Sequence, residues 1–198
     1  MTPDDFLIRP ARKTDAPALA KLINIAGEGI PLWLWRQSAG NDEDAMSLGA
    51  QRAARETGGF SYRNAHVAEA NGEVQAMLLG YRLAEPSGTD EPDELPAVVR
   101  PLVELESLAP GSWYVNAIAT LDQARGRGSG TQLLALAHTL ARESGAAALS
   151  LIVASENRGA FRLYQRQGYE TVSTRPVVPF PGCHFAGDWV LMTRPVSH

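Results

Sequence analysis

Apolar and polar residues follow a helical period in the first part of the chain. A short apolar stretch at 6–8 precedes Thr and Asp at 14–15, and either of these residues can cap the start of a helix. Apolar residues then recur three and four positions apart as far as Gly27, which predicts the end of this helix. A second helix is expected at about 42–56, after an apolar and aromatic segment at 30–35.

The pattern changes to the two-residue period of strands between positions 66 and 83. Two such runs flank Asn71-Gly72, which supplies the positive φ angles of a type I′ turn, so a β-hairpin is predicted. Prolines and acidic residues interrupt the pattern at 84–111. We expect an acidic, proline-rich insertion there, with a short helix around 98–105, because regular structure resumes on both sides.

The clearest signals lie in the second half of the chain. They predict a strand, a glycine-rich loop, a helix, a buried strand, a helix capped by Ser155 or Asn157, and two final strands. In order, these segments cover 113–119, 125–130, 131–144, 147–154, a helix ending at 167, 171–178 and 189–193. The length of 198 residues and the lack of an internal repeat favour one domain over 1–198.

The composition narrows the class of protein. Hydrophobic residues make up 44% and charged residues 20% of the chain, which excludes a disordered or fibrous protein. The formal net charge of −4 argues against a nucleic-acid partner. The single cysteine, Cys183, excludes an internal disulfide framework and a cysteine-based zinc site, and we expect no metal. Without a signal-peptide pattern or an apolar run of ~20 residues, we expect a cytoplasmic protein that does not bind membranes.

A strand, a glycine-rich turn and a helix in this order favour an anion site at 125–131. The glycines leave backbone amides unobstructed, Arg125 and Arg127 add positive charge, and the helix contributes the potential of its N-terminus. A diphosphate therefore fits this loop.

The spacing of the glycines excludes three well-known phosphate loops. The NTPase loop requires Gly-Lys followed by Ser or Thr, a triplet that the chain lacks. The dinucleotide fingerprint G-x-G-x-x-G meets Thr131 or Leu133 at its last position, and the protein-kinase loop fails on the same spacing. The remaining pattern, R-x-x-G-x-G, on its own also fits an ordinary turn between a strand and a helix.

A second motif, N-R-G-A-F-R-L-Y-Q-R-Q-G-Y, occupies 157–169. Together the two motifs resemble the GNAT superfamily of acetyl-CoA-dependent N-acetyltransferases, and the match is strong over 113–170. The resemblance implies an α+β fold with a mixed, mostly antiparallel central sheet that is flanked by helices and splayed at the acetyl-CoA site. Two departures from the family pattern are Ser129, where a branched apolar residue is usual, and a longer loop that includes Leu121-Asp122.

The resemblance also implies which residues bind the co-substrate, acetyl-CoA. The end of the 113–119 strand would pair with the pantetheine arm, the glycine loop would hold the diphosphate, and the second motif would contact the arm near the thioester. The residues implied are Ile118, Ala119, Thr120, Arg125, Gly126, Arg127, Gly128, Ser129, Gly130, Thr131, Asn157, Ala160 and Tyr164.

Tyr164 is the expected catalytic acid. In the family the tyrosine at this place faces the thioester sulfur, and a phenol with a reference pKa of ~10 can protonate the departing thiolate. The alternative is an ordinary core tyrosine. The general base stays open, because the inward position that often holds a carboxylate is Asn116, which can only orient a substrate or a water. The alternatives for the base are Glu69, His66, Glu104 and Glu106.

The resemblance implies an acyltransferase that moves an acetyl group from acetyl-CoA to an amine of a small molecule or peptide by direct nucleophilic attack. The competing hypothesis is a non-catalytic CoA-binding regulatory module, motivated by Asn116. Trp33 and Trp35 fit a wall of the acceptor pocket, half-buried core or a contact in a homodimer, and these alternatives stay open. The excess of acids at 85–106, seven against Arg100, suggests attraction of a cationic amine.

Overall fold

The computed structural model describes residues 6–40, 44–84 and 95–196. The helices are α1 (Ala16–Ala26), α2 (Ile30–Ser38), α3 (Ala45–Ala53), α4 (Arg100–Glu106), α5 (Ser129–Glu143) and α6 (Arg158–Arg166). The strands are β1 (Leu7–Pro10), β2 (Ala65–Ala70), β3 (Glu73–Arg82), β4 (Trp113–Thr120), β5 (Ala148–Ala154), β6 (Glu170–Pro176) and β7 (Asp188–Pro195).

The strands form a seven-stranded sheet in the order β1-β2-β3-β4-β5-β7-β6. The pairs β1–β2, β2–β3, β5–β7 and β6–β7 are antiparallel, whereas β4 and β5 pair in parallel at Trp113–Val115. The mixed, mostly antiparallel sheet flanked by helices confirms the predicted α+β class.

The described residues group into two compact units, which fall within residues 1–80 with 117–136 and residues 81–116 with 137–198. In the first unit, α1 buries the apolar face that its period predicted, with Leu19, Leu22 and Ile23 almost completely excluded from water. The hairpin is confirmed as well: Asn71 and Gly72 have φ values of 53° and 78°, and β2 pairs with β3 on either side of this turn.

The second unit is built around β5, whose side chains from Leu149 to Val153 are mostly buried. β5 pairs with β7 from Ala148 to Ala154, β7 pairs with β6, and α4 packs against β5, β6 and β7. A continuous apolar run is typical of such a central strand, as the sequence predicted.

Three elements add to or refine the sequence-based expectations. Residues 30–38 form a helix, α2, which begins after Gly29 in a left-handed conformation with φ of 89°. α5 begins at Ser129 rather than at 131, because Gly128 accepts the first helical hydrogen bond, from the Gln132 amide at 3.1 Å. The short helix expected around 98–105 is present as Arg100–Glu106, and residues 85–94 of the proline-rich segment lie outside the described residues.

Candidate functional site

The glycine loop joins β4 to α5 in the first unit. Gly126 and Gly128 have φ values of 76° and 84°, a left-handed conformation that other residues adopt only with strain. A Cβ atom built on either glycine would meet nothing within 4 Å, so their conformation, rather than crowding, is what requires glycine. The first amides of α5 follow directly, and such amides have no acceptor within their own helix. The arrangement fits an anion.

Ser129 connects this helix to the strand before it. Its hydroxyl shares a hydrogen bond of 3.1 Å with the hydroxyl of Thr120, and Ser129 is only 3% exposed. The side chain of Ser129 therefore faces inward, and only its backbone amide is placed to serve the loop. This hydrogen bond accounts for the departure from a branched apolar residue, since the buried hydroxyl has a partner.

The two arginines of the loop differ in their surroundings. Arg125 is exposed, and it forms a salt bridge of 2.9 Å with Asp122 and donates to the Thr120 carbonyl at 3.4 Å. Arg127 is half-buried, and its guanidinium lies 5.4 Å from the centre of the Phe6 ring. Both positive charges stay at the loop, but Arg127 is oriented by an aromatic contact that the sequence did not predict.

The second motif forms α6 in the second unit. The Asn157 side chain caps the helix by accepting a hydrogen bond from the Ala160 amide at 3.2 Å. Tyr164 is 6% exposed, and its ring lies 5.9 Å from that of Tyr169 in a tilted arrangement. This burial agrees both with a catalytic tyrosine in an enclosed site and with a core tyrosine, so the role of Tyr164 stays a prediction.

A polar cluster on β3, β4 and α4 includes Asn116, again within the second unit. The Asn116 amide donates a 3.0 Å hydrogen bond to the Tyr81 hydroxyl, and the Tyr81 and Tyr114 rings meet edge to face at 6.1 Å. Tyr114 is also hydrogen-bonded to the Glu106 carboxylate. We call these four residues the Glu106 cluster.

The environment of the Glu106 cluster shifts its ionisation. Burial raises the pKa of Glu106, and the hydrogen bond from Tyr114 partly offsets this. Burial, followed by the nearby Glu106 charge, raises the pKa of Tyr81 to about 12. Burial likewise raises the pKa of Tyr114 well above its ordinary value. Tyr81 and its link to Asn116 were not predicted, although the two-residue period of the hairpin strand extended to this residue.

The other carboxylates considered as a base are held by arginines. Glu69 accepts two hydrogen bonds from Arg9, at 2.8 and 2.6 Å, and Arg9 also pairs with Asp15 at 2.7 Å. Glu104 pairs with Arg175 at 2.6 Å near the surface. Both carboxylates thus already have a cationic partner in their own unit.

The remaining side chains considered from the sequence have structural surroundings. Burial lowers the pKa of His66, which lies on β2 opposite Leu78. Trp35 is buried against Gly49 of α3, and Trp33 is half-buried. In residues 6–40, 44–84 and 95–196, no group of three or more His, Cys, Asp or Glu side chains is arranged to hold a metal ion. No helix in the same ranges is long and apolar enough to cross a membrane.

The model of the Acetyltransferase (GNAT) family matches residues 32–169, which is more than half of the chain. The chain belongs to the GNAT family. The match includes the glycine loop and the second motif, and it confirms the resemblance inferred from them. No curated protein matches the sequence significantly.

Solved structures of acetyltransferases share the fold of this GNAT chain. One crystal structure of an acetyltransferase is 25% identical, with a TM-score of 0.67, and the match covers 96% of this chain and 100% of the other. YncA of Salmonella typhimurium, solved with acetyl-CoA, is 17% identical with a TM-score of 0.59, over 98% of this chain and 95% of its own. An agmatine N-acetyltransferase variant in its apo form is 17% identical with a TM-score of 0.68, over 96% and 99%. These likenesses confirm the GNAT fold.

Proposed function

We propose that this GNAT protein transfers the acetyl group of acetyl-CoA to an amine of a small molecule or peptide by direct nucleophilic attack. The observation that carries the proposal is the glycine loop at 125–130, in which two left-handed glycines open the N-terminus of α5 in a chain of this family. The structural relative solved with acetyl-CoA supports the same co-substrate.

In the proposal, acetyl-CoA is held by the end of β4, the glycine loop and the start of α6. The backbone of Ile118, Ala119 and Thr120 pairs with the pantetheine arm, and the amides from Arg125 to Thr131 hold the diphosphate. Asn157 and Ala160 contact the arm near the thioester.

Tyr164 donates a proton to the CoA thiolate as the carbon–sulfur bond breaks. Asn116, held by Tyr81, orients the amine or a water. Glu69 stays a candidate base, although its carboxylate is bound by Arg9. The proposal assigns the acceptor only to the class of amines. One structural relative is an agmatine N-acetyltransferase, but its likeness supports the fold alone. A cytoplasmic location and a homodimer also stay predictions.

A second function, a CoA-binding regulatory module without turnover, is motivated by the amide of Asn116 in place of a carboxylate. One experiment separates the two. Purified protein is heated with and without acetyl-CoA or CoA, and thiol release is measured over polyamines, amino acids, aminoglycosides and peptides. Stabilisation together with thiol release supports the enzyme, and stabilisation without thiol release supports the module. If the protein shows neither stabilisation nor thiol release, both functions are contradicted.

A further inference from the structure

The Glu106 cluster is a partly open polar site that the glycine loop and the second motif do not use. Glu106, Tyr81 and Asn116 are half-buried, whereas Tyr114 is 4% exposed and is the hydrogen-bond partner of Glu106. The cluster thus contains a carboxylate, the phenol oxygen of Tyr81 with the amide that donates to it, and two aromatic rings. A protonated amine is complementary to this combination, since it donates hydrogen bonds and is attracted to aromatic faces.

We propose that Glu106 is the general base that receives the proton of the acceptor ammonium, with Tyr81 and Asn116 positioning the amine. The inference rests on the proposed acetyl transfer and deepens it by assigning the base and a cationic acceptor. Among the carboxylates considered, Glu106 differs in its partner: Glu69 and Glu104 are bound by arginines, whereas Glu106 is hydrogen-bonded to a neutral phenol.

The ammonium gives one proton to the Glu106 carboxylate, and the neutral nitrogen attacks the thioester carbon to form the C–N bond. The C–S bond then breaks, and the thiolate takes a proton from Tyr164. Tyr164 regains a proton from the acylated nitrogen, which keeps its last proton as an amide. Glu106 returns its proton to water, so each cycle consumes acetyl-CoA and an ammonium and yields an amide, CoA and a proton.

The surroundings of Glu106 set its pH dependence. The titratable groups beside it are Tyr81 on β3 and Tyr114 on β4, both neutral near pH 7 because an ordinary tyrosine ionises only near ~10 and burial raises both pKa values further. On its own helix, Arg100 donates to the Leu95 carbonyl and Glu104 is paired with Arg175 of β6. The other charged residues of the packed strands are Glu170 on β6 and Asp188 and Arg194 near the ends of β7, and β5 has none. A carboxylate base loses activity when it is protonated as the pH falls. Because burial raises the pKa of Glu106, this loss should begin at a higher pH than for an ordinary carboxylate.

The test measures kcat and KM from pH 5 to 9 with an amine that the wild-type protein acetylates. Glu106→Gln should lower kcat/KM by about 100-fold near neutral pH, the range expected for a lost general base, and remove the acid limb of the profile. Glu106→Asp should restore part of the activity together with that limb. Glu143→Gln, at an exposed position on α5, is the matched control and should match the wild type.

Tyr114→Phe provides a second measurement that does not depend on how Glu106→Gln folds. Phenylalanine fills the same space but removes the hydrogen bond that lowers the Glu106 pKa, so the acid limb should move to higher pH. An unchanged limb in Tyr114→Phe, or a Glu106→Gln profile within about threefold of the wild type, would overturn the base role. If the wild-type protein is stabilised by acetyl-CoA but acetylates no amine, the proposed function itself is overturned, and the base role with it.

Discussion

The side-chain amide of Asn116 donates a 3.0 Å hydrogen bond to the hydroxyl oxygen of Tyr81, which connects β4 to β3. A hydrogen bond of this kind contributes roughly 1 kcal/mol to stability. The bond leaves the Tyr81 proton in place, and burial makes that proton hard to remove. The pair therefore has a consequence at alkaline pH.

We predict that Tyr81 makes stability fall as the pH rises above 10. Its pKa is raised to about 12 in the folded protein, whereas an unfolded tyrosine ionises near ~10. The folded state thus holds the proton more tightly, so this contribution is complete below ~10 and is lost as the pH rises through the folded pKa. Chemical unfolding of the wild-type protein and Tyr81→Phe should show the wild type losing more stability across this range. Parallel curves would contradict the prediction.

The first unit shows which parts of the fold the sequence could predict. The hairpin was predictable because Asn71 and Gly72 specify the turn by local backbone preference alone. α2 was not, because its residues are apolar and aromatic on several sides, and its helical state depends on packing against α3.

The candidate site divides in the same way. The glycine turn before α5 and the Asn157 cap of α6 each depend on neighbouring residues in one segment. Both therefore lie where the sequence predicted them. The Glu106 cluster was not predicted as a unit, because it joins residues from β3, α4 and β4. Only the folded sheet places these side chains together, and the period of each strand says nothing about contacts between distant segments.

Gly128→Ala is expected to weaken both the loop and acetyl-CoA binding. Alanine at a φ of 84° costs about 1 kcal/mol from backbone strain, although its Cβ would meet nothing within 4 Å. The thermal stabilisation by acetyl-CoA should shrink because the amides of the loop move. Gly40→Ala, which also has open space but an ordinary φ, is the control and should leave the stabilisation unchanged. Equal responses of the two variants would show that the loop conformation does not matter.

Asn157 caps α6, and the proposed function also gives it a contact with acetyl-CoA, so two substitutions can separate these roles. Asn157→Ala removes the acceptor of the Ala160 amide and should lower the free energy of unfolding by about 1 kcal/mol. Asn157→Ser keeps a capping oxygen but lacks the amide group, so stability should be kept while KM for acetyl-CoA rises about tenfold. Denaturant unfolding and steady-state kinetics measure the two effects. A normal KM in Asn157→Ser would leave Asn157 as a helix cap alone.

Gly49 and Trp35 form a close contact between α3 and α2. A Cβ atom at position 49 would lie 2.6 Å from Cε3 of the Trp35 ring, and Trp35 is only 5% exposed. Gly49→Ala should therefore destabilise the protein by about 2 kcal/mol through overpacking. Combining it with Trp35→Phe should cost less than the sum of the two single changes, because the smaller ring gives space. Strict additivity in unfolding experiments would place the cost elsewhere.

The ion network of Arg9, Asp15 and Glu69 should make the free energy of unfolding fall at low pH. The hydrogen bonds from Arg9 are the main cause of the lowered pKa of Asp15, and both side chains of this pair are at most 14% exposed. A lowered folded pKa contributes stability that is present above the unfolded value, ~3.9, and is lost as the pH falls through the folded value. Arg9→Met should cost about 2 kcal/mol at neutral pH, because it leaves two partly buried carboxylates without their cation.

Asp15→Asn should flatten the acid side of the stability curve, measured by unfolding between pH 2 and 6. If Asp15→Asn and the wild type lose stability in parallel over this range, the Arg9–Asp15 pair does not control acid stability.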